Sequence, residues 1–344
     1  MRSVPGRIGW CLAAAALAAT VTTAQHRVDV LEPVSGLPAH VFARFQQPAT
    51  VVVTSTGDYL VLDRRAHTVF RVNPSGQIVR PILGIGHEPG RLLRPMAMAL
   101  SDDDILAVLD APNNVQRLQY FGTDGTLIGQ FYLTILGTPG VVVNDQIVSG
   151  ASAMAFDGKT FWFTAPARGT LMFQTDTAGT VLGQVGHLRR TGHEADRELH
   201  AALNAGLPVV DPTGGMFFVF QTGRPMLRKY DIAGVLLFER HIEGPELDPI
   251  VARLPDRWDT PDDGSRPLPA LMVRAAAADR QGRLWVVLQT GHVYVYDTSG
   301  EKVRTLVFGG PSRELTSSLF FTRGGRVLTG PAGYEFGVTS NLAR

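Results

Sequence analysis

A short turn written five times is the feature that most restricts how this chain can fold. It reads VNPSG ending at Gly76, FGTDG at Gly125, TDTAG at Gly179, YDIAG at Gly234 and YDTSG at Gly300, at spacings of 49, 54, 55 and 66 residues. A polar residue opens the turn and a glycine closes it. An Asp or Asn side chain can bond back to the backbone, and glycine accepts positive φ. Apolar or aromatic residues lie on both sides, which is the layout of a hairpin connection.

A second turn precedes each of these by about 20 residues. It reads STGD at Ser55, SDDD at Ser101, FDGK at Phe156, PTGG at Pro212 and RQGR at Arg280, with a sixth, RGGR, at Arg323. Apolar runs stand before these turns (TVVVT, MAMAL, ASAMAF, LPVV, RAAAA, SLFFT) and after them (YLVLD, ILAVLD, TFWFTA, MFFVFQ, LWVVLQ, VLTG). Each unit is therefore four antiparallel strands in about 40 residues, and six such units predict an all-β, six-bladed β-propeller. The sixth unit runs short of strands. The segment HVFARF, residues 40–45, has no partner in the first unit and is expected to close the ring as an N-terminal strand, which removes exposed edges.

Two inter-blade connections carry helical patterns. TGHEADRELHAALNAG places Thr191 as an N-cap, an apolar face at Leu199, Ala202 and Leu203, and a stop at Gly206. GPELDPIVARLPDRW has Pro245 near its start and Pro255 at its end.

The second unit, residues 84–131, resembles the NHL repeat. Gly84, Gly86, Gly90, Pro95, Val108, Asp110, Asn113, Asn114, Gln116, Asp124 and Gly125 occupy the places of that pattern, and Val61–Asp63 repeats its Asp step in the first unit. The resemblance implies a propeller fold. It does not imply one function, because such folds host many.

The ends and composition narrow the setting. Arg2 and Arg7 precede a 14-residue apolar stretch, residues 8–21, followed by Thr-Thr-Ala at 22–24. That is the layout of a secretory signal peptide, so residues 1–24 are expected to be removed and 25–344 to form one propeller domain in the periplasm or outside the cell. Cys11 is the only cysteine, so the mature chain has no disulfide and depends on burial and backbone pairing. Without Arg2 and Arg7 the balance is 30 basic to 31 acidic residues, and only three lysines occur. No basic track suits a nucleic acid, and no second stretch is long enough for stable membrane insertion. A monomer is expected.

Candidate site residues fall in the inter-blade connections. His87, Arg91 and Arg94 lie in the Gly-rich lead-in of the second unit, where an Arg pair could clamp a carboxylate or phosphate. His193, Arg197 and His200 share one face if their segment is helical, though two His seven apart are too distant for a single ion. Arg257 and Trp258 offer an aromatic anchor in the second insertion. The acidic run at 259–264 lacks the spacing of a calcium loop. No nucleophile elbow, P-loop or mature thiol is present. Sugar-lactone hydrolases and amidating lyases are also propellers of this kind. They need axial carboxylate and Asn ligands, or several His on zinc, and the inner strands here supply almost none. The expectation is a binding scaffold for a protein, peptide or glycan, with no cofactor, no metal and no catalysis. The alternative is a hydrolase or lyase, metal-dependent or not, acting on a small molecule at the axial pocket.

Overall fold

A computed structural model describes residues 27–77, 79–133, 142–143, 146–147, 153–255, 257–258, 269–310 and 316–338. The N-terminal apolar stretch with Cys11 and the acidic run 259–264 lie outside them. The architecture is all-β, with six antiparallel blades in a ring. The first blade is Pro48–Val53, Tyr59–Asp63, Thr68–Val72 and Val79–Pro81 from inside to outside. The inner strands of the next five are Ala97–Leu100, Met154–Phe156, Gly206–Val210, Val273–Ala278 and Ser318–Phe321. Each inner strand touches its two neighbours, so the ring is complete.

Burial explains why the second strands read as unbroken apolar runs. Blades stack face to face, so both faces of a central strand are covered. Met216–Phe220 and Leu284–Leu288 are buried at every position. The core is accordingly divided into six clusters, one at each blade interface.

The repeated turn has a second use besides reversing the chain. Gly125, Gly179, Gly234 and Gly300 each press on the outer part of the preceding blade. At Gly179 (φ +85°) a Cβ would stand 2.6 Å from the Phe131 ring, and at Gly234 (φ +80°) 2.8 Å from Val185. Both the positive φ and the close approach require glycine there. In the second blade the turn begins at Gly122 rather than at a polar residue, and Asp124 accepts from Thr126 N instead.

The ring is closed by an N-terminal strand, but not by residues 40–45. Pro33–Gly36 pairs antiparallel with Tyr334–Gly337 as the fourth strand of the sixth blade. Just before it, Val28–Leu31 pairs parallel with Lys302–Phe308 as a fifth strand on the fifth blade. Residues 40–45 instead hold a helical turn, Ala39–Phe42, started after Pro38. Val41 and Phe45 are four residues apart and both buried, so the helical period satisfies the core better than alternation would. The two insertions are also shorter than their patterns suggest. The first is a helix over Arg197–Leu203 capped by Asp196, whose side chain accepts from Glu198 N and Leu199 N, so Thr191 is not its cap. The second is a single turn, Asp248–Val251.

Glu335 fastens the closure. It is buried, and its carboxylate accepts from Tyr59 Oη in the first blade (2.7 Å), Ser35 Oγ in the N-terminal strand (2.7 Å) and Arg326 Nη1 in its own blade (3.0 Å). Burial alone would raise its pKa, but the bonds from Tyr59, Ser35 and Arg326 outweigh it and hold the group below the usual Glu value. A depressed folded pKa gives stability that is present above the unfolded value, about 4.3, and lost as pH falls through the folded one. Glu335→Gln is expected to cost about 1–3 kcal/mol at pH 7 in urea unfolding. The gap between the two proteins should shrink as pH falls below the usual Glu range. A gap that stays constant down to pH 3 would show that Glu335 is not the titrating clasp.

Candidate functional site

Six inner strands surround an axial cavity of about 1340 Å³. Its bore follows from small side chains: Ala97 and Ala99, Ala155, and the run 275–278 line the wall, with Met154, Val209 and Phe321 among the larger residues. Strand direction alternates in every blade. The connections into inner strands and the loops after second strands therefore share one end of the channel, here the upper end. The turns after inner strands share the lower end.

The two ends differ in charge. Asp102, Asp157, Asp211 and Asp231 line the lower part. Several serve the turns themselves. Asp157 Oδ1 accepts from Lys159 N and Thr160 N, and Asp211 Oδ1 from Thr213 N, while Asp211 is also paired to buried Lys229. Arg280 Nη2 lies 3.6 Å from Asp102 Oδ1. These residues belong to the fifth and second blades, which face each other across a six-membered ring, so the pair spans the lower end.

The upper end is cationic. Arg64, His67, Arg94 and Arg274 line it. Three of them form one corner between the first and second blades. Arg64 Nη2 donates to Met96 O (2.7 Å), Arg94 N donates to His67 Nδ1 (3.0 Å), and Arg94 Nη1 donates to Asn114 Oδ1. Among the described residues no carboxylate pairs with Arg64 or Arg94. Elsewhere Arg71, Arg117, Arg228, Arg283, Arg304 and Arg326 all have acidic partners. The corner is also strained: His67, Arg94, Asn113 and Asn114 have φ of 52°, 55°, 54° and 61°. Such backbone is uncommon outside glycine and clusters at functional sites.

The sequence explains how the corner is held. Asp63 and Asp110 end the second strands of the first two blades. Asp63 accepts from Gln46 N, Gln47 N, Arg65 N and Ala66 N, tying the inner-strand lead-in to the loop that carries Arg64 and His67. Asp110 accepts from Leu93 N and pairs with Arg117, both side chains fully buried, at 2.7 Å. Arg117 then donates to His87 O (2.6 Å) and Arg91 O (2.9 Å), which fixes the loop leading to Arg94.

The expected site residues separate into three groups. Arg94 is at the channel mouth. His87 and Arg91 are exposed on the lead-in, with Arg91 3.8 Å from Glu88. The remaining five belong to the two insertions, away from the channel lining. His193 precedes the helix, so it does not share a helical face with Arg197 and His200; the capping Asp196 starts the helix too late. The loop nevertheless brings the two His near Thr191, whose Oγ1 lies 2.7 Å from His200 Nδ1 and accepts from His193 N at 3.3 Å. Trp258 N donates to His193 Nε2 (3.2 Å), docking the second insertion on the first, while Arg197 and Arg257 are exposed. Beside them Arg189 bonds the carbonyls of Leu203 and Thr222, and burial lowers its pKa to about 10, so it stays charged at neutral pH. Among the described residues no three His, Cys, Asp or Glu side chains converge as a metal site would require. No helix there is long and apolar enough to cross a membrane. Arg64, His67 and Arg274 were not expected. The signal for Arg274 was an arginine opening an otherwise alanine inner strand.

No family model matches the chain, and no curated protein matches it in sequence. Similar solved structures exist. Virginiamycin B lyase from Staphylococcus aureus aligns with TM-score 0.51 and 11% identity, over 82% of this chain and 77% of that one. A gluconolactonase from Xanthomonas campestris aligns with TM-score 0.52 and 14% identity, over 85% and 87%. At such identities the likeness concerns the propeller fold.

Asp110→Ala would leave Arg117 buried without its counter-charge, which typically costs about 3–5 kcal/mol. Chemical unfolding should show a loss of that size. A loss below about 1 kcal/mol, the range of exposed pairs, would mean that the pair does not anchor the loop.

Proposed function

We propose that this chain is an exported binding scaffold that captures a protein, peptide or glycan ligand on the upper face of its propeller and does no chemistry on it. The observation that carries this reading is the upper channel mouth. It presents Arg64 and Arg94, which no carboxylate among the described residues pairs with, beside His67. Alanines of the inner strands share the wall below with polar residues such as Gln47 and Ser318, and convergent polar groups beside apolar surface are common in ligand sites. Export is supported by the N-terminal layout of Arg2, Arg7 and the apolar run. A relation to NHL-repeat propellers is supported by residues 84–131, where Asp110 and the Asn113–Asn114 step have structural work on this same face.

A second reading, a propeller hydrolase or lyase acting in the channel, is favoured by the size of the axial cavity and by the resemblance of the fold to a lyase and a gluconolactonase. One experiment separates the two. The purified mature chain is incubated with peptide and glycan extracts of the exported fraction and then isolated by gel filtration. Bound components are identified by mass spectrometry. A scaffold retains a component in stoichiometric amount and releases it with unchanged mass on denaturation. Conversion of any component beyond one equivalent would overturn the scaffold reading in favour of the enzyme.

A further inference from the structure

We infer that the upper mouth of the axial channel is a site for an organic carboxylate, its anionic head held by Arg64 and Arg94 and its uncharged body lodged against the alanine-rich wall below. This rests on the binding reading and specifies the chemical group that the face recognises.

Four observations lead there. The first is a pair of cations that no carboxylate among the described residues pairs with. Arg64 and Arg94 come from different blades, yet one bonds Met96 O and the other has its backbone N on His67, so they hold one corner. Each guanidinium carries five donors, and among the described residues the bonds to Met96 O and Asn114 Oδ1 occupy one on each side chain. The planar fork suits a carboxylate oxygen pair. The second is His67. Its Nδ1 accepts from Arg94 N, so in the neutral ring the proton sits on Nε2, which is left as a further donor. Arg274, from the fifth blade, adds positive charge on the lining.

The third is the wall. Below the cations the lining includes Ala97, Ala99, Ala155 and Ala276, which offer burial to a carbon skeleton and little to a bare inorganic anion. The fourth is the direction of the field. Asp102, Asp157, Asp211 and Asp231 line the opposite end, where Arg280 and Asp102 span the axis. With Asp102 paired to Arg280 and Asp211 to Lys229, Asp157 and Asp231 still leave that end net negative, so charge favours head-up orientation and entry from above. The strained backbone of His67 and Arg94 fits a corner kept for a ligand.

The test uses the mature chain and four probes by isothermal titration calorimetry: octanoate, 1-octanol, acetate and inorganic phosphate. Octanoate combines the head and the body; the others carry one or neither. Octanoate should bind with one-to-one saturation and at least about tenfold more tightly than any other probe, as expected when a charge-assisted hydrogen-bonded group is added. Arg64→Gln and Arg94→Gln should each weaken octanoate by about tenfold or more, and exposed Arg80→Gln in the outer strand of the first blade should not. Far-ultraviolet circular dichroism and the unfolding midpoint confirm that each variant is folded. Equal binding of 1-octanol and octanoate, tighter binding of phosphate than of octanoate, or octanoate binding unchanged in the Arg64→Gln/Arg94→Gln double variant would each overturn the inference. If wild-type protein binds no octanoate but retains an unchanged component in the extract experiment, this inference fails and the scaffold reading stands. If octanoate binding depends on the two arginines while an extract component is turned over, the site stands and the scaffold reading fails.

Discussion

Closure of the ring is the constraint on which everything else depends. A blade alone is a four-stranded sheet with two apolar faces, and neither is covered until a neighbour stacks on each side. The six core clusters lie between blades rather than within them, so an open ring would expose two of those faces at once. The chain avoids this by bringing its beginning to its end. Pro33–Gly36 completes the sixth blade and Val28–Leu31 extends the fifth, so one short segment clips the last two blades together. Glu335 adds the chemical part of the clasp, since its three partners come from the N-terminal strand, the last blade and the first blade.

Once the ring is closed, turn chemistry gives the molecule its polarity. The tight turns after inner strands are Asx or glycine turns, and their Asp residues are placed at the lower end because that is where these turns lie. At the upper end the loop-holding Asp63 and Asp110 are buried and stand behind the channel lining. Its loops are longer and lead into inner strands, and Arg64 and Arg189 there bond carbonyls, while buried Arg117 pairs with Asp110. A chain with nearly equal numbers of acids and bases thus lines its channel with arginines at one mouth and mostly aspartates at the other. Net charge conceals this, which is why the composition pointed to no particular ligand.

The fold was legible because its signals are local. The glycine turns recur at fixed places in the unit, and the apolar runs between them have the length of strands. The closing strand was misread because Pro33–Gly36 is short, nearly exposed and held by its partner's backbone rather than by an apolar pattern. Residues 40–45 carried the stronger apolar signal, and Pro38 with the four-residue spacing of Val41 and Phe45 turned it into a helical turn. The channel corner was only partly legible. Arg94 stood in a segment with a recognisable pattern. Arg64 and His67 follow an Asp that marks a strand end, and nothing in the sequence says that this loop meets the next blade's lead-in. That meeting is set by blade packing, with Asp63 and Asp110 holding the two loops in register. The other four blades end their second strands on Thr164, Phe220, Leu288 and Gly330, and the Asp-based motif fades there for the same reason.

This distribution also bears on where a ligand site can persist. Blades three to five hold most of the largest fully buried aromatic residues, among them Phe161, Phe163, Phe217, Phe218, Trp285 and Tyr294. Burial on that scale contributes stability well beyond the cost of a few strained backbone angles, about 1–3 kcal/mol each. The strained corner lies between the first two blades, where buried Asp63, Asp110 and Arg117 over-determine the backbone that carries His67 and Arg94. Alanine-lined inner strands forgo part of the apolar burial that larger residues would bring to the axis, and in return the channel stays open. Strained backbone, arginines that no carboxylate among the described residues pairs with, and a wide bore each reduce stability. Arg64, Arg94 and the positive-φ residues His67 and Arg94 meet at the upper mouth, which is where the proposed ligand head would sit.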